Sequence, residues 1–203
     1  MEFGADLRWS WVMGGLARQI AAEERAVIQE AWLGQAARSG MPVDTRLWTE
    51  GPIASTYPAC MAVKAAAEQA ADGGYAYLRA LREGLLCLRR KLDTSEALVE
   101  EAKEGDLASA VFIAEDGSRH AAAPGASVAE LRAAALAAGA EPSGAERPGV
   151  AEALGRFRRM APVEVQAVCD LPEPRAHAEL WGLALEWRAR SQRVLTGRLW
   201  ELA

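Results

Sequence analysis

Between Leu7 and Met13 apolar and polar side chains alternate, with Leu7, Trp9, Trp11 and Met13 on one face and Arg8, Ser10 and Val12 on the other, the period of a half-buried strand. Gly14-Gly15 ends that strand as a turn; the pair alone makes no nucleotide fingerprint. The pattern then slows to the helical period: Ile20, Ala21, Val27 and Ile28 predict an amphipathic helix over residues 16–39, with Gly40 as its exit before Met41-Pro42. A turn-rich loop carries Trp48 towards Pro52. Pro58 suits a first helical turn, where a missing N–H leaves no intrahelical bond unmade, and that helix runs through alanines to a stop at Gly73-Gly74. Leu78, Leu81, Leu85, Leu88 and Leu92 recur at spacings of three and four, which predicts one continuous apolar stripe. Arg79, Arg82, Arg89, Arg90 and Lys91 then form its solvated face. Asp93 followed by Glu96 reads as a capping box for a helix from residue 94 to about 103.

The period changes at Ser109. SAVFIA, the turn Glu115-Asp116-Gly117-Ser118 and RHAAA predict a β-hairpin in which Asp-Gly supplies positive φ angles, and a helix follows over residues 127–138. Residues 139–149, GAEPSGAERPG, have linker composition. Beyond them the pattern predicts helices over 150–160, 163–169 and 175–188, a Leu-Pro-Glu-Pro turn before the last of these, and a hairpin folded at Thr196-Gly197. Three helices followed by a hairpin is a winged-helix-like order. The expected fold class is helix-rich α/β, with one domain over 1–140 and a small C-terminal helical unit over 150–203.

With 203 residues, 51% apolar and 25% charged, the chain can build one good core or a core with a small satellite. A formal charge of −5 gives no general attraction for phosphate backbones or anionic lipid, so no nucleic-acid or membrane partner is expected. The arginines from Arg156 to Arg198 are balanced by Glu and Asp, which points Trp181 and Trp200 to packing and protein contact rather than to DNA reading. Adjacent acids such as Glu23-Glu24 and Glu100-Glu101 splay around a helix and are assigned to solubility. No apolar run approaches the ~18 residues of a membrane span, and MEFGADLRW lacks the basic flank and apolar stretch of a leader. A cytoplasmic protein is expected. Cys60, Cys87 and Cys169 are distant and odd in number, as for reduced thiols. His120 and His177, the two histidines, offer no zinc-site spacing. No metal and no cofactor is expected.

Residues 51–102 carry STYPAC opening a helix, YLRALREGLLCLRRKLD forming a second and DTSEALVEEA starting a third, with RWSWVMGGLAR upstream. In this order they resemble the DsbA-like thioredoxin-fold thiol–disulfide oxidoreductases. The resemblance implies a thioredoxin-like, DsbA-type fold with a helical insertion over about 16–104, the 109–138 hairpin and helix forming its C-terminal half. It also implies a Cys-x-x-Cys upstream of RWSWVMGGLAR and a cis-proline before the strand at 109–114. The sequence contains no Cys-x-x-Cys, and Ala108 stands at the proline position, where a cis bond costs about 2.5–4 kcal/mol. The stretch 103–108 is also shorter than the family's.

The expectation is an N-terminally truncated family member, redox-inactive as encoded: a shortened member, a decayed paralogue or a misassigned start codon. No catalytic residue is assigned apart from the weak candidate Cys60, two residues after Pro58 in a first helical turn, where the helix dipole favours a thiolate. Against it, Cys60, Val63 and Ala67 share one face, as for a buried small hydrophobe. The alternative, from another functional class, is a non-catalytic protein-binding adaptor, because some relatives of this family present other proteins to a protease; the partner is then a protein or peptide. The family's central strand, between those at 7–13 and 109–114, is missing. The unpaired edge is therefore expected to recruit a second chain as a homo-dimer or to leave the N-terminal segment loosely held.

Overall fold

The computed structural model describes residues 17–69, 73–101, 111–121 and 128–203; the strand expected over 7–13, Gly14-Gly15 and Ala108 lie outside them. The described residues group into two compact units, one of 17–34 with 43–101 and the other of 35–42 with everything from 111 onward.

In the first unit, residues 17–20 are extended and not helical. The Ala17 N–H donates to Thr56 Oγ1 at 2.9 Å, the Thr56 N–H returns to the Ala17 carbonyl at 3.0 Å, and the Ile20 N–H donates to the Ala54 carbonyl at 2.8 Å. With those groups paired to the 54–56 segment, helix starts only at a 3-10 turn, Ala22–Glu24, which runs into α1 (Arg25–Ser39). Glu24 is therefore more than a solubilising charge: its carboxylate accepts the Ala21 N–H at 2.7 Å and caps the turn. α2 (Leu47–Glu50) brings Trp48 into a small core with Ile20 and Ile53. Trp32 of α1 stands edge-on to Trp48 with ring centroids 5.2 Å apart.

α3 (Tyr57–Gln69) has Pro58 in its first turn as expected. Gly73-Gly74 does not stop that helix but opens the next, α4 (Gly73–Arg82). A Cβ at position 74 would stand 2.7 Å from the Ala67 Cβ, so the glycine is what allows α3 and α4 to approach so closely. The leucine stripe does not stay on one helix. α4 passes into a π-helical segment, Glu83–Cys87, and Arg89 at φ +57 turns the chain out. Leu78 and Leu81 still share a buried core with Val63, Tyr77 and Leu98, but Leu92 joins it from a loop. Arg89, Arg90 and Lys91 consequently leave the solvated helix face. Thr94, not Asp93, caps α5 (Ser95–Glu101), its Oγ1 accepting the Ala97 N–H at 3.3 Å. Asp93 Oδ2 instead accepts the Ala54 N–H at 2.8 Å.

The second unit opens with β1 (Val111–Ile113) antiparallel to β2 (Arg119–Ala121). In the loop between them the Gly117 N–H donates to the Ala114 carbonyl at 2.9 Å and Gly117 alone is left-handed, at φ +83. This is a type I turn closed by a glycine bulge, not a pair of positive-φ residues. α6 (Val128–Ala137) follows, and residues 140–149 carry no regular structure.

α7 (Val150–Phe157) ends three residues short of the expected 160 because Arg158, at φ +62, turns the chain so that Met160 pairs with Trp200, each N–H reaching the other's carbonyl at 2.8 Å. α8 (Pro162–Cys169) begins at a proline, with the Ala161 N–H held by Glu164 Oε2 at 2.7 Å. α9 (Glu173–Leu185) starts two residues earlier than expected and ends three earlier, since Pro174 fits its first turn. In the hairpin β3 (Ala189–Val194) and β4 (Gly197–Leu202), Val194 pairs with Gly197, so the turn is Leu195-Thr196 and not Thr196-Gly197. Gly197 serves packing: a Cβ there would stand 3.2 Å from the Pro42 Cβ. Val150, Leu154, Met160, Val165, Leu180 and Trp200 form the buried centre of this unit.

Candidate functional site

An open cleft of about 790 Å³ lies within the second unit, between α8, α9 and the tip of the β3–β4 hairpin. Leu180 and Trp200 belong to its lining and to the core at once; Trp200 is only 2% exposed. Trp181, the next residue on α9, is turned to the border and is 47% exposed, standing edge-on to Trp200 with centroids 4.9 Å apart and planes at 87°. The Trp200 Nε1–H is buried and has no hydrogen-bond partner among the described residues.

The cationic part of the cleft comes from the hairpin. Period-two alternation puts Arg198 on the Trp200 side of β4, and the register places Arg193 directly opposite Arg198. Arg198 lies over the Trp181 ring, 5.5 Å from its centroid, and its Nη1 donates to Ser191 Oγ at 3.0 Å. Neither arginine has a carboxylate within ion-pair reach among the described residues. Glu173 and His177, one turn apart on α9, line the same cleft. The arrangement donates hydrogen bonds, attracts anions and stacks on apolar groups, and no thiol lines it.

The other hairpin arginine is handled differently. Arg159 and Arg190 both pair with Glu201, Nε to oxygen at 2.9 and 2.8 Å. Burial pushes the Glu201 carboxyl up, but hydrogen bonds and charge from the two arginines outweigh it and leave it below the usual carboxylate range.

Cys60 sits in the first turn of α3, half-buried, and its N–H donates to the Thr56 carbonyl at 3.1 Å. Cys87 and Cys169 are buried, and none of the three cysteines is joined in a disulfide. Burial, and then the charges of Glu179 and Glu152, push the Cys169 thiol upward, away from reactivity. The structure brings none of the three into the cleft. No cluster of metal-ligating side chains occurs among the described residues, and no described helix is long and apolar enough to cross a membrane. The cleft itself was not foreseen from the sequence. Its one local signal is the pair Arg193 and Arg198 flanking a hairpin turn.

With its helix-rich first unit and the hairpin-plus-helix that follows, the chain belongs to the thioredoxin family: the family model described as thioredoxin matches residues 3–124. Among curated proteins it is similar to the ClpXP adapter protein SpxH of Halalkalibacterium halodurans, 32% identical over 115 residues, which is 53% of this chain and 38% of the relative. It is similar also to the ClpXP adapter protein SpxH of Bacillus subtilis, 34% identical over 86 residues, or 41% of this chain and 29% of the relative. The chain thus spans well under half the length of these relatives. Apart from the 40–42 segment, the cleft lies C-terminal to the family match.

Proposed function

We propose that this chain is a protein-binding adaptor of the thioredoxin family, without dithiol activity, that holds a partner protein for degradation by ClpXP. The observation that carries this reading is the similarity to two proteins named as ClpXP adapters in a sequence with no Cys-x-x-Cys. Exposed apolar residues support it. Trp181, Leu185 and Trp187, near one another in sequence, are 47%, 81% and 87% exposed in the second unit, and large exposed apolar side chains are the material of interaction surfaces. On this reading the DsbA-type frame with its helical insertion is lineage, and the unit from 150 to 203 is a winged-helix-like module for protein contact.

The test is to capture partners by photocrosslinking the purified chain in a Bacillus subtilis lysate. Each captured protein is then followed with ClpXP and ATP, with and without the chain. A several-fold faster loss of a captured protein is expected; unchanged half-lives for all of them contradict the adaptor reading. An insulin-reduction assay checks the other half. Turnover above that of a cysteine-free variant contradicts redox inactivity, and its loss on Cys60→Ser would place it on that thiol.

A further inference from the structure

We infer that the cleft between α8, α9 and the hairpin tip takes an extended acidic peptide segment of a partner protein, with an Asp or Glu carboxylate held by Arg193 and Arg198 and an adjacent apolar side chain against Trp181. The choice of a protein ligand rests on the adaptor reading. The cleft's chemistry does not.

Charge is the first argument. Arg193 and Arg198 are directly opposite on antiparallel strands, a placement in which like charges repel and weaken the hairpin. The neighbouring cations Arg159 and Arg190 share the carboxylate of Glu201, so the same hairpin shows what pairing with an acid looks like. In a chain of formal charge −5, two uncompensated guanidinium groups at one cleft complement a carboxylate, which each can bind in fork geometry.

Shape and surface supply the second argument. The cleft's volume of about 790 Å³ is of the size that encloses a few residues of extended chain. Beside the cations stand Trp181 and Leu195, each 47% exposed, an apolar contact ready for a side chain next to the carboxylate. A nucleic-acid backbone fits less well. It presents phosphate at every step, whereas here Glu173 shares the cleft and the chain as a whole repels polyanions.

The experiment is selection of random heptapeptides on the full chain, followed by fluorescence anisotropy with a synthetic labelled copy of the most enriched peptide. Enrichment of Asp or Glu next to Leu, Phe or Trp is expected, with affinity falling about tenfold or more in R193A/R198A and falling also in Trp181→Ala. Melting temperatures taken alongside show that the variants are folded. No enrichment, enrichment of basic peptides, unchanged affinity in both folded variants, or tighter binding of a labelled DNA duplex overturns the inference. The two readings separate in the ClpXP assay. If R193A/R198A loses the peptide yet still speeds degradation of the captured partner, the acidic-peptide cleft is not the adaptor's docking site and this inference fails alone. If the peptide binds but no protein is degraded faster, the adaptor reading fails and the cleft stands.

Discussion

Two groups of arginines in this molecule meet their surroundings in different ways. In the first unit Arg46 and Arg89 close around Asp44, which is buried: the Arg46 Nε donates to Oδ1 at 2.8 Å, the Arg46 backbone N–H reaches the same oxygen at 3.2 Å, and the Arg89 Nε lies 3.5 Å from Oδ2. The Arg89 Nη1 pairs with Glu50, so two cations meet two anions. The Asp44 carboxyl is held below its usual range, chiefly by the Arg46 side-chain hydrogen bond acting against burial. In the second unit Arg193 and Arg198 face each other with no acid between them. A cation joined to an internal carboxylate works for the fold. A pair left to repel works against it until a ligand arrives, and that difference marks the cleft as a place for binding.

The comparison breaks most violently at Trp200, which belongs to the core and to the cleft. Trp200→Ala is expected to cost about 3–5 kcal/mol in urea unfolding and to remove peptide binding with it. A loss confined to binding would mean that the indole is not the core residue its 2% exposure indicates.

Asp44 sharpens the other side. Asp44→Asn removes the anion that Arg46 and Arg89 surround and is expected to cost about 1–3 kcal/mol, with peptide affinity unchanged. Because the folded-state pKa is depressed, the stabilisation is complete above the unfolded value near 3.8 and is lost as pH falls through the folded value. The stability gap between wild type and D44N should therefore be constant at neutral pH and close below about pH 4. A gap that persisted at pH 2 would place its cause in packing and not in charge.

Local chemistry made much of this fold legible. Gly40 at φ +71 ends α1, Pro58 sits in the first turn of α3 and Gly117 closes the first hairpin, each by a backbone preference that the residue carries with it. What the sequence hid was competition. Residues 17–20 have helical periodicity, but strand-like bonds to 54–56 take their backbone groups. The leucine spacing of 78 to 92 is helical throughout, yet the π segment at Glu83–Cys87 ends the helix, and no side-chain pattern announces that change of hydrogen bonding. The cleft was less legible still, because its walls come from the 40–42 segment, two helices and a hairpin far apart in sequence. Register decided the rest. A turn at Thr196-Gly197 would set Arg193 opposite Trp200, whereas the observed turn, one residue earlier, sets it opposite Arg198.

The smallest expected change in stability is also the most direct test of the claim that these arginines are kept for a partner. Arg193→Glu turns the opposed pair into a cross-strand ion pair with Arg198 and should stabilise the fold by about 0.2–1 kcal/mol. The same substitution removes half of the carboxylate site. Unfolding free energy and affinity for the selected acidic peptide, measured on one preparation of R193E, should move in opposite directions, with stability up and binding at least about tenfold weaker. A variant that is less stable, or one that binds the peptide as tightly as before, would show that Arg193 serves the fold and not a ligand.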